Sequence, residues 1–195
     1  MSTQSKTFLT PEQYLEIERK AEYTSEYYGG EMFVLGEPWQ PRDNVMAHDA
    51  LVVNLNRELH AKLADSACCI VEAAVGHARF DAVGVRGQPR LVDDQLLNPA
   101  LLVDVVLPST EAYDRGRKFE KYQTIDSLRE YLMVASDRVS ADLFTRQADG
   151  RWLLTSATRL EDSVELQSIG CSLTLGDLYE KVIFVEAGAA PAPQA

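Results

Sequence analysis

Five of the six residues in Leu101-Leu102-Val103-Asp104-Val105-Val106 are aliphatic, and the sixth is a carboxylate. An ionised aspartate inside an apolar strand is costly unless a cation, a hydrogen-bond network or a shifted pKa compensates it. Asp81 is a second carboxylate, at the entrance to another apolar run, Ala82-Val83-Gly84-Val85. If the two runs pair, both carboxylates can converge on one divalent cation, and oxygen ligands with open positions suit Mg²⁺ or Mn²⁺. Asp114, Arg117 and Lys118 follow at i, i+3 and i+4, one face of a helix that Tyr122 extends. From that face Lys118 can reach back over the strand end. There an ammonium could orient a water or offset charge on a phosphorane-like transition state. The blander alternatives are a solvated strand residue at Asp81 and an exposed salt-bridge helix worth a few tenths of a kcal/mol.

Positioning these groups requires a central strand covered on both faces, and Leu101 to Val106 has that pattern. Pro108 ends it, and Ser109 or Thr110 can cap a helix from about Ala112 to Gln123. Upstream, Thr10-Pro11-Glu12-Gln13 reads as a capping box with proline at the first helical position, opening a helix that runs to about Ala21. Two β-rich runs around Gly29-Gly30 signal a hairpin, and Gly36 to Asp43, with Trp39 inside it, reads as a loop. Met46, Ala50, Val53, Leu55, Leu59 and Leu63 recur near helical spacing and predict the longest helix, from about Asn44 to Ala64. Cys68 to Val75 and Ala78 to Val85 read as strands around a turn near Gly76, and Gly87 to Pro99 as a loop. Arg129 to Ala135, Val139 to Arg146 and Arg151 to Ser156 read as further strands, the last two joined by Asp149-Gly150. Thr174 should cap a last helix, Leu175 to Glu180. This order predicts an α/β (α+β) fold with a mixed central β-sheet flanked by helices. One domain over residues 1–186, followed by a disordered Ala/Pro-rich tail over 187–195, completes the expectation.

The 195 residues are 46% hydrophobic and 25% charged, close to the globular average. No run approaches the ~20 apolar residues of a membrane span. The opening Met1 to Thr7 lacks the apolar core of a signal peptide, so the expectation is a cytoplasmic protein away from membranes. Cys68, Cys69 and Cys171 form no metal-ligand spacing and read as reduced core residues. A net charge of -11 argues against a broad basic nucleic-acid surface. It leaves room for a nuclease whose acidic pocket holds a divalent cation, because the cation inverts the local sign.

The stretch from Val103 to Lys118, with Tyr122 and Ser127-Leu128-Arg129-Glu130-Tyr131, closely resembles the Uma-two family, described as endonucleases and formerly a domain of unknown function. The family's usual wording is V-E-V-L-S-P-S-T, then D-R-G-x-K, then L-R-E-Y. Weaker echoes are Leu9 to Leu15, Glu26 with Gly29-Gly30-Glu31, and His48 with Asn54 and Leu55. The resemblance implies the PD-(D/E)xK nuclease superfamily and a restriction-endonuclease-like core. It implies that Asp81 and Asp104 are metal-binding carboxylates, Lys118 the catalytic lysine and Glu26 an acidic residue of the N-terminal element. His48 is a further possible site residue. Together these would bind Mg²⁺ or Mn²⁺, activate water and cleave a DNA phosphodiester, with a homodimer expected by analogy.

The chain departs from the family wording at three places. Phe80 stands where a proline usually precedes the first aspartate, and Leu107 replaces a serine. Asp104 is one methylene shorter than the usual glutamate, roughly 1.5 Å of reach. Two other readings therefore stay open: a catalytically impaired member of the fold acting as an interaction protein, and a hydrolase of a small phosphodiester.

Overall fold

The computed structural model describes residues 8–21, 24–28, 30–36, 45–76, 78–93, 95–108 and 110–184. Helix α1 (Pro11–Glu18) opens with the expected capping box. Thr10 Oγ1 accepts the Gln13 N–H at 3.3 Å, and Gln13 Oε1 accepts the Thr10 N–H at 2.8 Å. The helix stops at Glu18, short of Ala21, where the chain turns. Strands β1 (Thr24–Tyr28) and β2 (Glu31–Gly36) form the hairpin. Gly30 sits at φ +86°, a left-handed conformation that glycine adopts without a Cβ penalty. Tyr14 of α1 stacks on Tyr27 of β1 at 5.0 Å, and its hydroxyl donates to the Ser25 carbonyl.

Helix α2 (Val45–Leu63) is the longest among the described residues, as its periodicity predicts. Its buried face differs from the expected one. Ala47, Leu51, Leu55, Leu59 and Leu63 are buried, whereas Met46 is 81% and Val53 66% exposed. An i, i+4 row stays on one side of a helix, while each single-residue step turns ~100°, so Met46 and Val53 are carried off that row.

A six-stranded mixed sheet follows. Its strands are β3 (Cys68–Val71), β4 (Ala82–Arg86), β7 (Leu101–Val106), β8 (Glu130–Ala135), β9 (Ala141–Arg146) and β10 (Trp152–Ala157), in the order β10-β9-β8-β7-β4-β3. Strands β7 and β8 pair in parallel and every other neighbour is antiparallel. All six residues of β7 are buried, as are all six of β8. The expected strands around Gly76 are shorter than the sequence suggests. Among the described residues a Val75–Ala78 bridge spans that turn, and Asp81 lies just before β4 rather than within a strand. Gly84 lets β4 approach its surroundings, since a Cβ there would meet Leu101 Cβ at 3.0 Å and Ile169 Cγ2 at 3.1 Å.

Two small ribbons escaped the sequence reading. Strands β5 (Leu91–Val92) and β6 (Gln95–Leu96) lie within the expected loop, and β11 (Ser163–Leu166) pairs with β12 (Cys171–Thr174). After β7 the chain forms one helical segment, α3 (Glu111–Tyr113), a π-helical turn over Asp114–Lys118, and α4 (Phe119–Tyr122). Thr110 makes no side-chain cap, its hydroxyl bonding the Leu107 carbonyl instead. Thr174 makes none either, and α5 (Leu175–Leu178) is shorter than expected. Ser109, the loop through Trp39 and the C-terminal tail lie outside the described residues.

The sheet carries a core on each face. Leu101, Val103 and Val105 face α2, α5 and the β11–β12 ribbon. Leu102 and Val106 face Phe119, Tyr122 and Tyr131. Cys68 and Cys69 point to these opposite faces, the first buried and the second half-buried, and all three cysteines are free thiols. No helix among the described residues is long and apolar enough to cross a membrane.

Candidate active site

Side chains alternate along a strand, so Asp104 shares its face with Leu102 and Val106, beneath the helical segment from Glu111 to Tyr122. That segment delivers Lys118. Its Nζ lies 3.0 Å from Asp104 Oδ2 and 3.4 Å from Asp114 Oδ1. All three groups are buried. Asp114 and Lys118 are the two ends of the π-helical turn, a distortion of the helix often found at functional sites. Between them Arg115 and Gly116 are half-buried and Arg117 is exposed, so the turn aims its ends inward and its middle outward. Asp114 and Lys118 thus form a buried ion pair rather than the exposed salt-bridge helix of the blander alternative.

Asp81 arrives from the neighbouring element by three bonds. Its backbone N–H donates to the Val103 carbonyl at 3.0 Å, and the Val105 N–H donates to its Oδ2 at 2.7 Å. Asn56 of α2 donates from Nδ2 to the Asp81 carbonyl at 3.1 Å. These contacts bracket Asp104, so the two carboxylates share one locality. Burial raises the Asp81 carboxyl above the ordinary aspartate value. The Val105 N–H opposes this, the Asp104 charge adds to it, and His48 and Lys118 pull it back.

Tyr131 completes the arrangement and was not singled out as a site residue from sequence. Its hydroxyl donates to Asp104 Oδ2 at 2.6 Å, on the same oxygen as Lys118. The parallel register pairs Asp104 with Met133, which puts Tyr131 on the same face two residues earlier. That parity was available in Arg129-Glu130-Tyr131, but only the pairing of β7 with β8 reveals it. Burial, then the charges of Asp104 and Asp114, raise the Tyr131 phenol well above its usual value, so it stays a donor.

An aromatic layer dries these groups. Phe80 contacts Tyr122 edge-on at 4.9 Å, and Lys118 Nζ lies 5.1 Å from the Phe80 ring centre. Phe119 stacks on Tyr131 at 5.5 Å. The departure from proline at position 80 therefore places a ring against the catalytic-lysine candidate. Lys121, one turn on, donates to the carbonyls of Gly76 at 2.7 Å and Tyr27 at 3.2 Å, tying the hairpin and the Gly76 turn to the helix. Arg115 bonds Glu111 at 2.8 Å and Asp142 of β9, anchoring the start of the π-helical turn to the sheet.

The remaining sequence candidates stand further out. His48 Nε2 is 3.8 Å from Asp81 Oδ1, beyond hydrogen-bond distance, while its Nδ1 lies 3.2 Å from Asp49. Glu26 belongs to β1, and its side chain is outside what the structure describes. Asn54 bonds the carbonyls of Leu178 and Glu180, which holds α2 to the segment after α5.

The donor set fits a hard divalent cation. Asp81 Oδ2 takes the Val105 N–H and Asp104 Oδ2 takes Tyr131 and Lys118, leaving each carboxylate one oxygen free of hydrogen-bond donors among the described residues. Three carboxylates, Asp81, Asp104 and Asp114, gather near the Lys118 ammonium. No group of three His, Cys, Asp or Glu in ligand arrangement occurs among the described residues. Two carboxylates completed by water match Mg²⁺, which keeps several waters, better than a closed protein cage would.

Residues 11–176 match the model of the Uma2 family, described as "Putative restriction endonuclease". The chain belongs to the Uma2 family. Two Synechocystis proteins are similar over most of their length. The uncharacterised protein slr1290 is 32% identical over 185 residues, 90% of this chain and 94% of the relative. The uncharacterised protein sll1609 is 28% identical over 159 residues, 75% of this chain and 86% of the relative. The crystal structure of an Anabaena variabilis protein, titled a "putative nuclease belonging to DUF820", superposes with a TM-score of 0.67 at 12% identity, covering 90% of this chain and 99% of that one. At that identity the likeness establishes the fold, and it agrees with the mixed sheet flanked by helices that the Uma2 motifs imply.

Proposed function

We propose that this Uma2 protein is a Mg²⁺-dependent DNA endonuclease that hydrolyses phosphodiester bonds, with Mn²⁺ as an alternative metal. The observation that carries this reading is the Val105 N–H bond to Asp81, which brings a second carboxylate alongside Asp104 while Lys118 sits on Asp104 itself. Asp81 and Asp104 would hold the cation through their open oxygens. Bound there, the cation would supply an activated water and charge neutralisation at the phosphate. Lys118 pairs with Asp104 and orients it, and its positive charge would offset negative charge developing on the attacked phosphate. Phe80 packs over the Lys118 ammonium, and the burial of the pair strengthens it. His48, beside Asp81 on the α2 side, is a candidate to receive or relay a proton through a water rather than directly. A homodimer, one site for each strand of a duplex, belongs to the same reading and is checked by sizing in solution.

The test is cleavage of supercoiled plasmid and single-stranded DNA with Mg²⁺, with Mn²⁺ and with chelator, beside a small aryl phosphodiester. Metal-dependent cutting of DNA that disappears in Asp104→Asn and Lys118→Met supports the reading. Hydrolysis of the small diester alone would replace DNA by a small-molecule substrate. No hydrolysis of either would favour a protein that keeps the fold and acts by interaction.

A further inference from the structure

The Asp104 carboxylate is used unevenly. Its Oδ2 receives the Tyr131 hydroxyl at 2.6 Å and forms the ion pair with the Lys118 ammonium at 3.0 Å, so both contacts fall on this one oxygen. Tyr131 is fully buried and Lys118 nearly so, so neither donor is readily replaced by water. Phe119 stacks on the Tyr131 ring and Tyr122 meets it edge-on at 6.1 Å, which fixes the phenol's direction. Oδ1 carries neither contact.

From this we infer that Tyr131 is a specificity-determining residue, restricting Asp104 to one-oxygen ligation and so selecting a small octahedral cation over Ca²⁺. The inference rests on the metal-dependent reading above. Ca²⁺ takes six to eight oxygens and readily uses both oxygens of a carboxylate, whereas Mg²⁺ demands octahedral geometry and is held by one or two carboxylates plus water. A carboxylate with one oxygen already spent suits the second ion and handicaps the first. Tyr131 is a positioning residue, its hydroxyl bonded to Asp104. It acts through Asp104, as groups bonded to metal ligands commonly do.

The test is calorimetric titration of the full chain with Mg²⁺, Mn²⁺ and Ca²⁺, for wild type and Tyr131→Phe, with metal-free melting curves run alongside. Phenylalanine keeps the ring stacking and removes only the hydroxyl. Mg²⁺ and Mn²⁺ affinities are expected to fall ~10-fold or more, with Ca²⁺ affinity unchanged or raised, so that the Ca²⁺/Mg²⁺ preference shifts by at least that factor. Asp104→Glu, whose carboxylate reaches one methylene past Tyr131, is the second variant and should shift the preference the same way. Equal changes for all three ions, or none, in both variants overturn the inference while leaving the nuclease reading intact. A wild-type protein that binds no divalent ion at millimolar concentration overturns both.

Discussion

The backbone N–H of Val105 donates to Asp81 Oδ2 at 2.7 Å, so the residue that follows Asp104 is also the one that holds the second carboxylate. One strand thus supplies a carboxylate on one side and an amide donor to the other. The positions of Asp81 and Asp104 are not independent, and a shift in β7 would move both.

The ion pair beneath the helix should separate stability from activity. Lys118→Met leaves Asp104 and Asp114 buried without the ammonium between them, and breaking a buried pair in this way costs ~3–5 kcal/mol. Asp104→Asn keeps the shape and a hydrogen-bond acceptor for Tyr131, so it should melt closer to wild type. Both should lose at least ~100-fold in cleavage rate. Urea titration and a plasmid assay check the two predictions; full activity in either variant would refute the site.

The raised Asp81 carboxyl has a consequence for pH. Between the ordinary aspartate value near 3.8 and its raised value, the folded state binds more proton than the unfolded. Stability contributed by this group therefore falls as pH rises through that window. Above it, the buried ionised Asp81 is destabilising, and the proposed divalent cation would relieve that cost. Mg²⁺ should raise the melting temperature at pH 7 and lose that effect in acid, where Asp81 is protonated. Asp81→Asn should melt higher than wild type without metal at pH 7 and respond little to Mg²⁺.

Alkaline pH probes the other face of the sheet. Burial pushes the Tyr179 phenol up to about 12, against an opposing bond from the Ser140 N–H. The hydroxyl lies 2.7 Å from the Ala135 carbonyl and 2.9 Å from the Ser140 carbonyl, acceptors that require its proton. The contribution is fully present below the unfolded tyrosine value near 10 and is lost as pH rises from there to about 12. At most ~3 kcal/mol is at stake for a two-unit shift. Denaturant midpoints across that range should fall in wild type, and the part due to this group should vanish in Tyr179→Phe.

Helix α2 offers a plain packing contrast. Leu55→Ala removes a buried side chain and should cost ~2–5 kcal/mol. Val53→Ala, two residues away and exposed, should stay within ~0.5 kcal/mol. Equal losses would mean that the helix is rotated relative to the buried row described.

The sequence by itself determined the principal elements and the family, though not the two small ribbons or the π-helical turn. The apolar run Leu101 to Val106 could only be a strand covered on both faces, the Thr10 to Gln13 box could only start a helix, and Asp149-Gly150 could close only a tight turn, because these signals depend on neighbours along the chain. The Uma2 motifs were legible for the same reason. Tertiary structure decided which groups meet. Lys118 could have been a solvated cation on an exposed helix; the π-helical turn and the aromatic layer made it a buried partner of Asp104. Tyr131 and Asn56 joined the site through strand register and helix placement, relations between segments 25 or 27 residues apart that no local pattern encodes. Met46 and Val53 made the same point in reverse, since apolar type and rough spacing do not say which side of a helix the sheet will cover.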